Sequence, residues 1–175
     1  KIVFSLFFMV CWYSASAEKP LTHSATTEEN GRVYQYSIVY QEFSIKAKPS
    51  VTYFWHRNGQ LRSTTGDYSG NVLHGISQEF DKSGRLLEKG SYYYGVKDGT
   101  WKSWDKNGKI IRLEKWDRGY ISWRKSFEGT RYILENFRKN QLNGRKITWN
   151  NNHKESVEHF KNGEKCSQHK GLLKS

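Results

Sequence analysis

Gly66-Asp67-Tyr68 recurs 24 residues later as Gly90-Ser91-Tyr92. The same offset carries His74-Gly75 onto Asp98-Gly99, Phe80 onto Trp104 and Ser83-Gly84 onto Asn107-Gly108 without a gap. A period of this length leaves little choice of architecture. Each unit is one supersecondary element, too small to bury an apolar face alone, so neighbours must stack. One further step of 24 reaches Trp116, after which the spacing shortens to 21 (Phe137) and 23 (Phe160). The first slot of the pattern holds Gly66, Gly90, Glu114, Glu135 and Glu158, and the turn after the aromatic holds Gly70, Gly95, Gly119, Asn140 and Gly163. Asn143-Gly144 refills the His74-Gly75 slot and Trp149 the Phe80/Trp104 slot, while a weaker unit, Tyr53-Phe54-Trp55 with Asn58-Gly59-Gln60-Leu61, precedes them all.

Aromatics make up 15% of the chain and there are 15 Gly but only 2 Pro, a balance that favours short strands and tight turns over helices or disorder. Strands joined by Gly- or Asn-containing turns form hairpins, because those residues tolerate positive φ. A lone hairpin is marginal in water, so the expected fold is all-β: an elongated antiparallel sheet of stacked hairpins over residues 51–165, burying a continuous aromatic stripe. The residues expected to build it are Gly66, Tyr68, Gly75, Phe80, Gly84, Gly90, Tyr92, Gly99, Trp104, Gly108, Trp116, Gly144, Trp149 and Phe160. In the early units glycine and aromatic stand two apart, on one strand face, and the absent side chain at Gly66 or Gly90 leaves room for a ring. Glu114, Glu135 and Glu158 replace that glycine, so those units must pack differently, with the carboxylate towards water.

The stretch His74-Gly75-Ile76-Ser77-Gln78-Glu79-Phe80-Asp81-Lys82-Ser83-Gly84-Arg85-Leu86 is echoed by Asp98-Gly99-Thr100-Trp101-Lys102-Ser103-Trp104-Asp105-Lys106-Asn107-Gly108-Lys109-Ile110. On these residues the chain resembles the MORN-repeat family, and more closely the MORN-variant repeats of bacterial antitoxin-like proteins. The resemblance covers about residues 51–165, is strongest over 66–116, and degrades between Tyr120 and Gly129. It implies an antiparallel β-sheet, no enzymatic activity and a protein partner.

The flanks read differently. Lys1, an apolar run to Tyr13 and then Ser14-Ala15-Ser16-Ala17 have the form of a secretory signal peptide over residues 1–17, cleaved after Ala17. The run is too short to span a bilayer, so no transmembrane segment is expected in the mature chain. Lipidation at Cys11 is disfavoured, because Phe8-Met9-Val10 lacks the small residue such sites carry. The protein is therefore expected to be secreted, periplasmic or in the cell envelope of a bacterium. Residues 18–50 form a polar leader, Glu18 to Gly31, followed by a capping strand over Val33–Tyr40. Residues 166–175 form a flexible tail. With Cys11 removed, Cys166 stands alone and no disulfide is expected.

A net charge of +12 suits anionic partners. No nucleic-acid-binding module is present, so a protein partner or an anionic envelope surface is the better match. The bland reading of the aromatic ladder (Tyr68, Phe80, Tyr92, Trp101, Trp104, Trp116, Phe137, Trp149, Phe160) is core packing, and the sharper one is a binding strip for sugar rings or bases. Tyr93, Tyr94, Trp101 and Trp123 sit at turns or outside the repeat register and are the rings expected at the surface. With Arg124 they form the candidate partner-binding set. His153, His159, Cys166 and His169 do not match zinc spacing, so no metal site is expected. No nucleophile elbow or phosphate loop occurs, and Asp67, Asp81, Asp98, Asp105 and Asp117 fall in turn slots, so neither catalytic residues nor cofactors are expected. The sequence reads first as an exported, non-enzymatic interaction module, with toxin neutralisation as its specific form. A self-associating envelope scaffold is the alternative, and an envelope-polymer hydrolase ranks below both.

Overall fold

The computed structural model describes residues 20–40 and 45–167. The proposed signal peptide and His169 lie outside them. β1 (Thr22–Glu29) and β2 (Arg32–Val39) form one hairpin, and β3 (Thr52–Arg57) and β4 (Gln60–Thr65) a second. β5 (Asn71–Asp81), β6 (Leu86–Tyr93), β7 (Val96–Trp104), β8 (Ile110–Asp117), β9 (Tyr120–Glu128), β10 (Arg131–Arg138), β11 (Gln141–Asn150), β12 (His153–Lys161) and β13 (Glu164–Lys165) follow. The protein is all-β, an open antiparallel meander in the order β1-β2-β5-β6-β7-β8-β9-β10-β11-β12-β13.

The turns explain the regularity. Residue pairs 30–31, 58–59, 94–95, 118–119, 139–140, 151–152 and 162–163 all have positive φ at both positions. That is the type I′ geometry whose twist matches the flanking strands. The wider turns at the other end close on Gly84 and Gly108, both at φ +77°. There the Asp81 carboxylate accepts the Ser83 and Arg85 amides, and Asp105 accepts those of Asn107 and Lys109. Successive turns are stitched together. Gly95, Gly119 and Gly163 each donate to a strand carbonyl of the preceding hairpin, those of Leu73, Lys97 and Leu142.

Three features depart from the sequence expectation. The weak first unit does not stack in series. β3 pairs with β4 and with only the start of β5, through Trp55↔Val72 and His56↔Asn71, while β2 takes the place beside β5. The cause is that β3 is apolar on both faces. Val51, Tyr53 and Trp55 pack with Val72 and Val96, whereas Phe54 and Leu61 of the same hairpin pack on Tyr36, Ile38, Leu73, Tyr92 and Trp101. A strand needing cover on both sides becomes a second layer, so this hairpin lies as a lid over the meander. Gly66 is consequently a loop residue at φ +86°, against the Pro49 backbone, and not the counterpart of Gly90. Lastly, the segment read as a polar leader contains β1, which is polar because it is an edge strand.

The expected aromatic stripe is also broken up. Tyr92 and Trp101 are buried beneath the lid. Tyr68 packs on Tyr53 in a loop, and Trp149 stacks on Tyr132 with centroids 5.8 Å apart. Bulges immediately before Phe80, Trp104 and Trp149 shift the register each time.

Candidate functional site

Trp101 was expected at the surface, and the structure corrects this: it is 3% exposed. Its indole lies on the bare backbone of Gly90, 4.9 Å from the Tyr92 ring, with Lys97 Nζ 3.9 Å from its centroid. The indole N–H donates to the Ser91 carbonyl at 3.2 Å. Gly90 does leave room for a ring, but that ring comes from the neighbouring strand. The other candidate residues divide between two places. Tyr93 and Tyr94 meet edge to face at 4.9 Å, whereas Trp123 and Arg124 are strand neighbours on opposite faces of β9 and do not form one site.

The first place is the β6–β7 turn. Tyr94 is at φ +46° and Arg118, in the next turn of the stack, at φ +42°. Bulky side chains are costly there, by about 1–2 kcal/mol per residue relative to the right-handed region. The strain places the Arg118 guanidinium over the Tyr93 ring at 4.9 Å. His74 supports the cluster from below: its ring is 4.5 Å from that of Tyr94, and its Nδ1 accepts the Tyr94 amide at 3.2 Å. Burial lowers the His74 pKa, which keeps the imidazole neutral and able to accept. Tyr93, Tyr94 and Arg118, with Ile45, Lys46, Lys48, Tyr53 and Val96, line a concavity of 300 Å³. Arg118 carries no signal in the sequence beyond preceding the turn glycine.

The second place is a cleft of 440 Å³ between the lid and the sheet, with Ser50, Thr52 and Phe54 on one side and Lys97, Arg112, Glu114, Trp116, Gly119, Arg124 and Asn140 on the other. Glu114, a first-slot residue, is buried at its head. Arg124 Nε donates to its Oε1 at 2.7 Å and the Trp116 indole N–H to its Oε2 at 3.0 Å. Burial pushes the Glu114 pKa up, but these two hydrogen bonds and the Lys97 and Arg124 charges outweigh it, and the net shift is downward. A second carboxylate, Glu88, accepts from Lys97 Nζ at 3.3 Å, Arg112 Nη2 at 3.1 Å and Ser103 Oγ at 2.9 Å. The amide of Asn140 closes the far wall, donating to Gly119 O at 3.0 Å and Ser50 O at 3.3 Å. Among the described residues no group of three His, Cys, Asp or Glu side chains converges to hold a metal. No described helix is long and apolar enough to cross a membrane.

Against known families, residues 73–92 and 97–117 match the MORN repeat variant. Those two stretches are β5–β6 and β7–β8, the two hairpins that frame Gly90 and Trp101. No curated protein and no solved structure matches the chain.

Proposed function

We propose that this protein is an exported interaction module that binds a protein partner through the Tyr93–Tyr94–Arg118 surface, with no catalytic chemistry of its own. Two MORN-variant units supply the repeat architecture, a type of scaffold that often mediates interactions. The observation that carries the reading is the strained turn pair. Tyr94 and Arg118 hold positive φ where Asn or Gly would be strain-free, and strain of this kind persists where a side chain is needed at that spot. Tyr and Arg are also the residue types that dominate binding energy at protein interfaces. Tyr93 is 40% exposed, so its ring is available. The carboxylates a catalytic reading would draw on have other work: Asp81 and Asp105 hold turns, and Glu88 and Glu114 are ion-paired.

Neutralisation of a toxin acting in the same compartment is the specific form of this proposal. Export rests on the Ala15/Ala17 motif, and N-terminal sequencing of the protein from its native cells tests it, the expected first residue being Glu18. For binding, residues 18–175 are used to capture partners from the native host, alongside a folded Tyr93→Ala/Arg118→Ala variant. The expected result is one stoichiometric protein partner, held by the wild type and lost by the variant. A partner held equally by both refutes the surface assignment. Recovery of the chain only with itself refutes the interaction reading in favour of a scaffold.

A further inference from the structure

The concavity at the β6–β7 turn has an apolar floor and a cationic rim. Tyr53 and Val96 are buried in it and Ile45 and Tyr94 half-buried, whereas Lys46, Lys48 and Arg118 are exposed. Among the described residues no carboxylate lines it, and none of the three cations enters an ion pair. Lys48 and Arg118 make hydrogen bonds through their backbone N–H groups, to the Tyr53 hydroxyl and the Asp98 carboxylate, both at 3.0 Å, and not through their charged heads. Two of the charges are nonetheless held in position by rings. Arg118 lies over Tyr93 at 4.9 Å, and Lys48 Nζ is 5.6 Å from the Tyr120 centroid. The segment that carries the lysines belongs to no strand, yet tyrosine hydroxyls clamp it at both ends. That of Tyr68 accepts the Ile45 amide at 2.8 Å, and that of Tyr53 accepts the Lys48 amide.

From this we infer that the concavity receives an acidic segment of the partner protein, one in which a large apolar side chain is flanked by Asp or Glu. The inference rests on the interaction reading above and names the chemistry of the partner. The apolar side chain covers Tyr53, Tyr94 and Val96, and the flanking carboxylates reach Lys46, Lys48 and Arg118 in charge-assisted hydrogen bonds. No carboxylate in the lining competes for those cations. A volume of 300 Å³ is at the small end of binding pockets and suits one side chain. Inorganic phosphate would leave the apolar floor unfilled, and a bilayer surface cannot enter a concavity. A second copy of this chain, at a net charge of +12, is repelled by a cationic rim that attracts an acidic partner.

The probe is a capped Gly-Glu-Phe-Glu-Gly peptide, titrated against the ¹⁵N-labelled chain while the amide resonances of Tyr94, Gly95 and Arg118 are followed. The expected result is a saturable shift of all three, with the Trp149 indole N–H on β11 unmoved. Binding weakens roughly tenfold or more when both peptide Glu are replaced by Gln, when its Phe is replaced by Ala, or when the protein carries Lys46→Gln/Lys48→Gln. Lys154→Gln/Lys161→Gln, an equal loss of charge on exposed residues of β12, changes it less than about twofold because only general attraction is removed. Equal weakening by the two double variants overturns the proposal. So does the absence of a saturable shift, or tighter binding of inorganic phosphate, of oligothymidylate or of phosphatidylglycerol vesicles than of the peptide. A mass in solution that rises with concentration, and stops rising in Lys46→Gln/Lys48→Gln, puts a second copy in the site and overturns it likewise. A native partner that Tyr93→Ala/Arg118→Ala releases and Lys46→Gln/Lys48→Gln retains in full overturns the acidic chemistry and leaves the interaction reading standing. Capture of no partner at all overturns the interaction reading and this proposal with it.

Discussion

Replacing Gly90 by alanine tests the contact on which the centre of the sheet is built. A Cβ at this position would lie 2.1 Å from Trp101 Cδ2, 2.2 Å from Cε2 and 2.6 Å from Cγ. Ordinary van der Waals contact begins near 3.4 Å, so the overlap exceeds an ångström. The indole has nowhere to retreat. Tyr92 lies against one side, Lys97 caps its face, and the hydrogen bond to Ser91 O fixes its edge. The φ of Gly90 is not in the left-handed region, so the backbone itself would accept alanine and the whole cost comes from the ring. Overpacking of this kind costs about 1–3 kcal/mol. For a chain of this size that corresponds to roughly 2–4 °C of melting temperature per kcal/mol. Trp101→Ala alone should cost about 3–5 kcal/mol. With the ring gone the clash is gone, and Gly90→Ala in the Trp101→Ala background should be close to neutral. Urea unfolding of the four proteins measures the difference as a coupling energy of about 1–3 kcal/mol. Additivity within about 0.5 kcal/mol would refute the reasoning, because the cost would then belong to the backbone. Gly75→Ala is the contrasting case: it has nothing within 4 Å but sits at φ +85°, so its cost should persist whatever the neighbouring side chains.

Glu114→Gln should destabilise by about 1–3 kcal/mol at neutral pH by urea unfolding, since two donors lose a charged acceptor. The folded-state pKa of Glu114 lies below its ordinary 4.5. Its contribution is therefore complete above that value and lost as pH falls through the folded pKa, so the variant should show a flatter loss of stability below pH 4.5 than the wild type. Asn140→Ala removes the donors to Gly119 and Ser50 and the acceptor of the Ile121 amide, and should cost about 1–3 kcal/mol. Because it unpins the lid, hydrogen exchange should quicken over Val51–Trp55 before it does in β10–β12. Asp105→Ala should cost about 1 kcal/mol by thermal unfolding, for the two turn amides left without their acceptor, with no effect on capture of a partner.

The turns and the period of the repeats were legible because type I′ geometry demands residues that tolerate positive φ, and Asn58-Gly59 and Asn162-Gly163 announce it, whereas Asn30-Gly31, with the same signature, reads as the end of a polar leader because β1 before it is polar. Gly95 and Gly119 marked two more of these turns, but the positive φ of the residues before them, Tyr94 and Arg118, was not legible, since neither belongs to the tolerant types. The lid was illegible for another reason. Its Asn58-Gly59 turn is locally identical to those of the stacked units, and what sets it apart is that both faces of β3 find apolar partners, a tertiary property. Trp101 was misread because its seat, Gly90, is supplied by the neighbouring strand, outside the spacing within one unit. The Arg112–Glu88 and Arg124–Glu114 pairs of the cleft cross between strands in the same way.

The first-slot residues explain why the cleft lies where it does. Across the sheet they form one row with their cross-strand partners: Ser77 beside Gly90, Trp101 opposite Glu114, then Arg124, Glu135, Lys146 and Glu158 in succession. Beneath the lid the row is small and aromatic, because the lid excludes water and a charge there would be unpaired. Beyond the lid the row alternates in sign, and ion pairs run from Glu114 through Arg124 to Glu135, and from Lys146 through Glu158 to Lys165. Opposite charges facing each other across strands stabilise an exposed face that no second layer covers. A row of one sign would repel itself, and an apolar row would invite aggregation. Glu114 stands where one regime gives way to the other, with the buried Trp101 on one side and the half-exposed Arg124 on the other. The charged row ends against an aromatic wall under the edge of the lid, and the one carboxylate among the described residues that the lid's edge buries, Glu114, is the one held from both sides, by Arg124 on one oxygen and the Trp116 indole on the other.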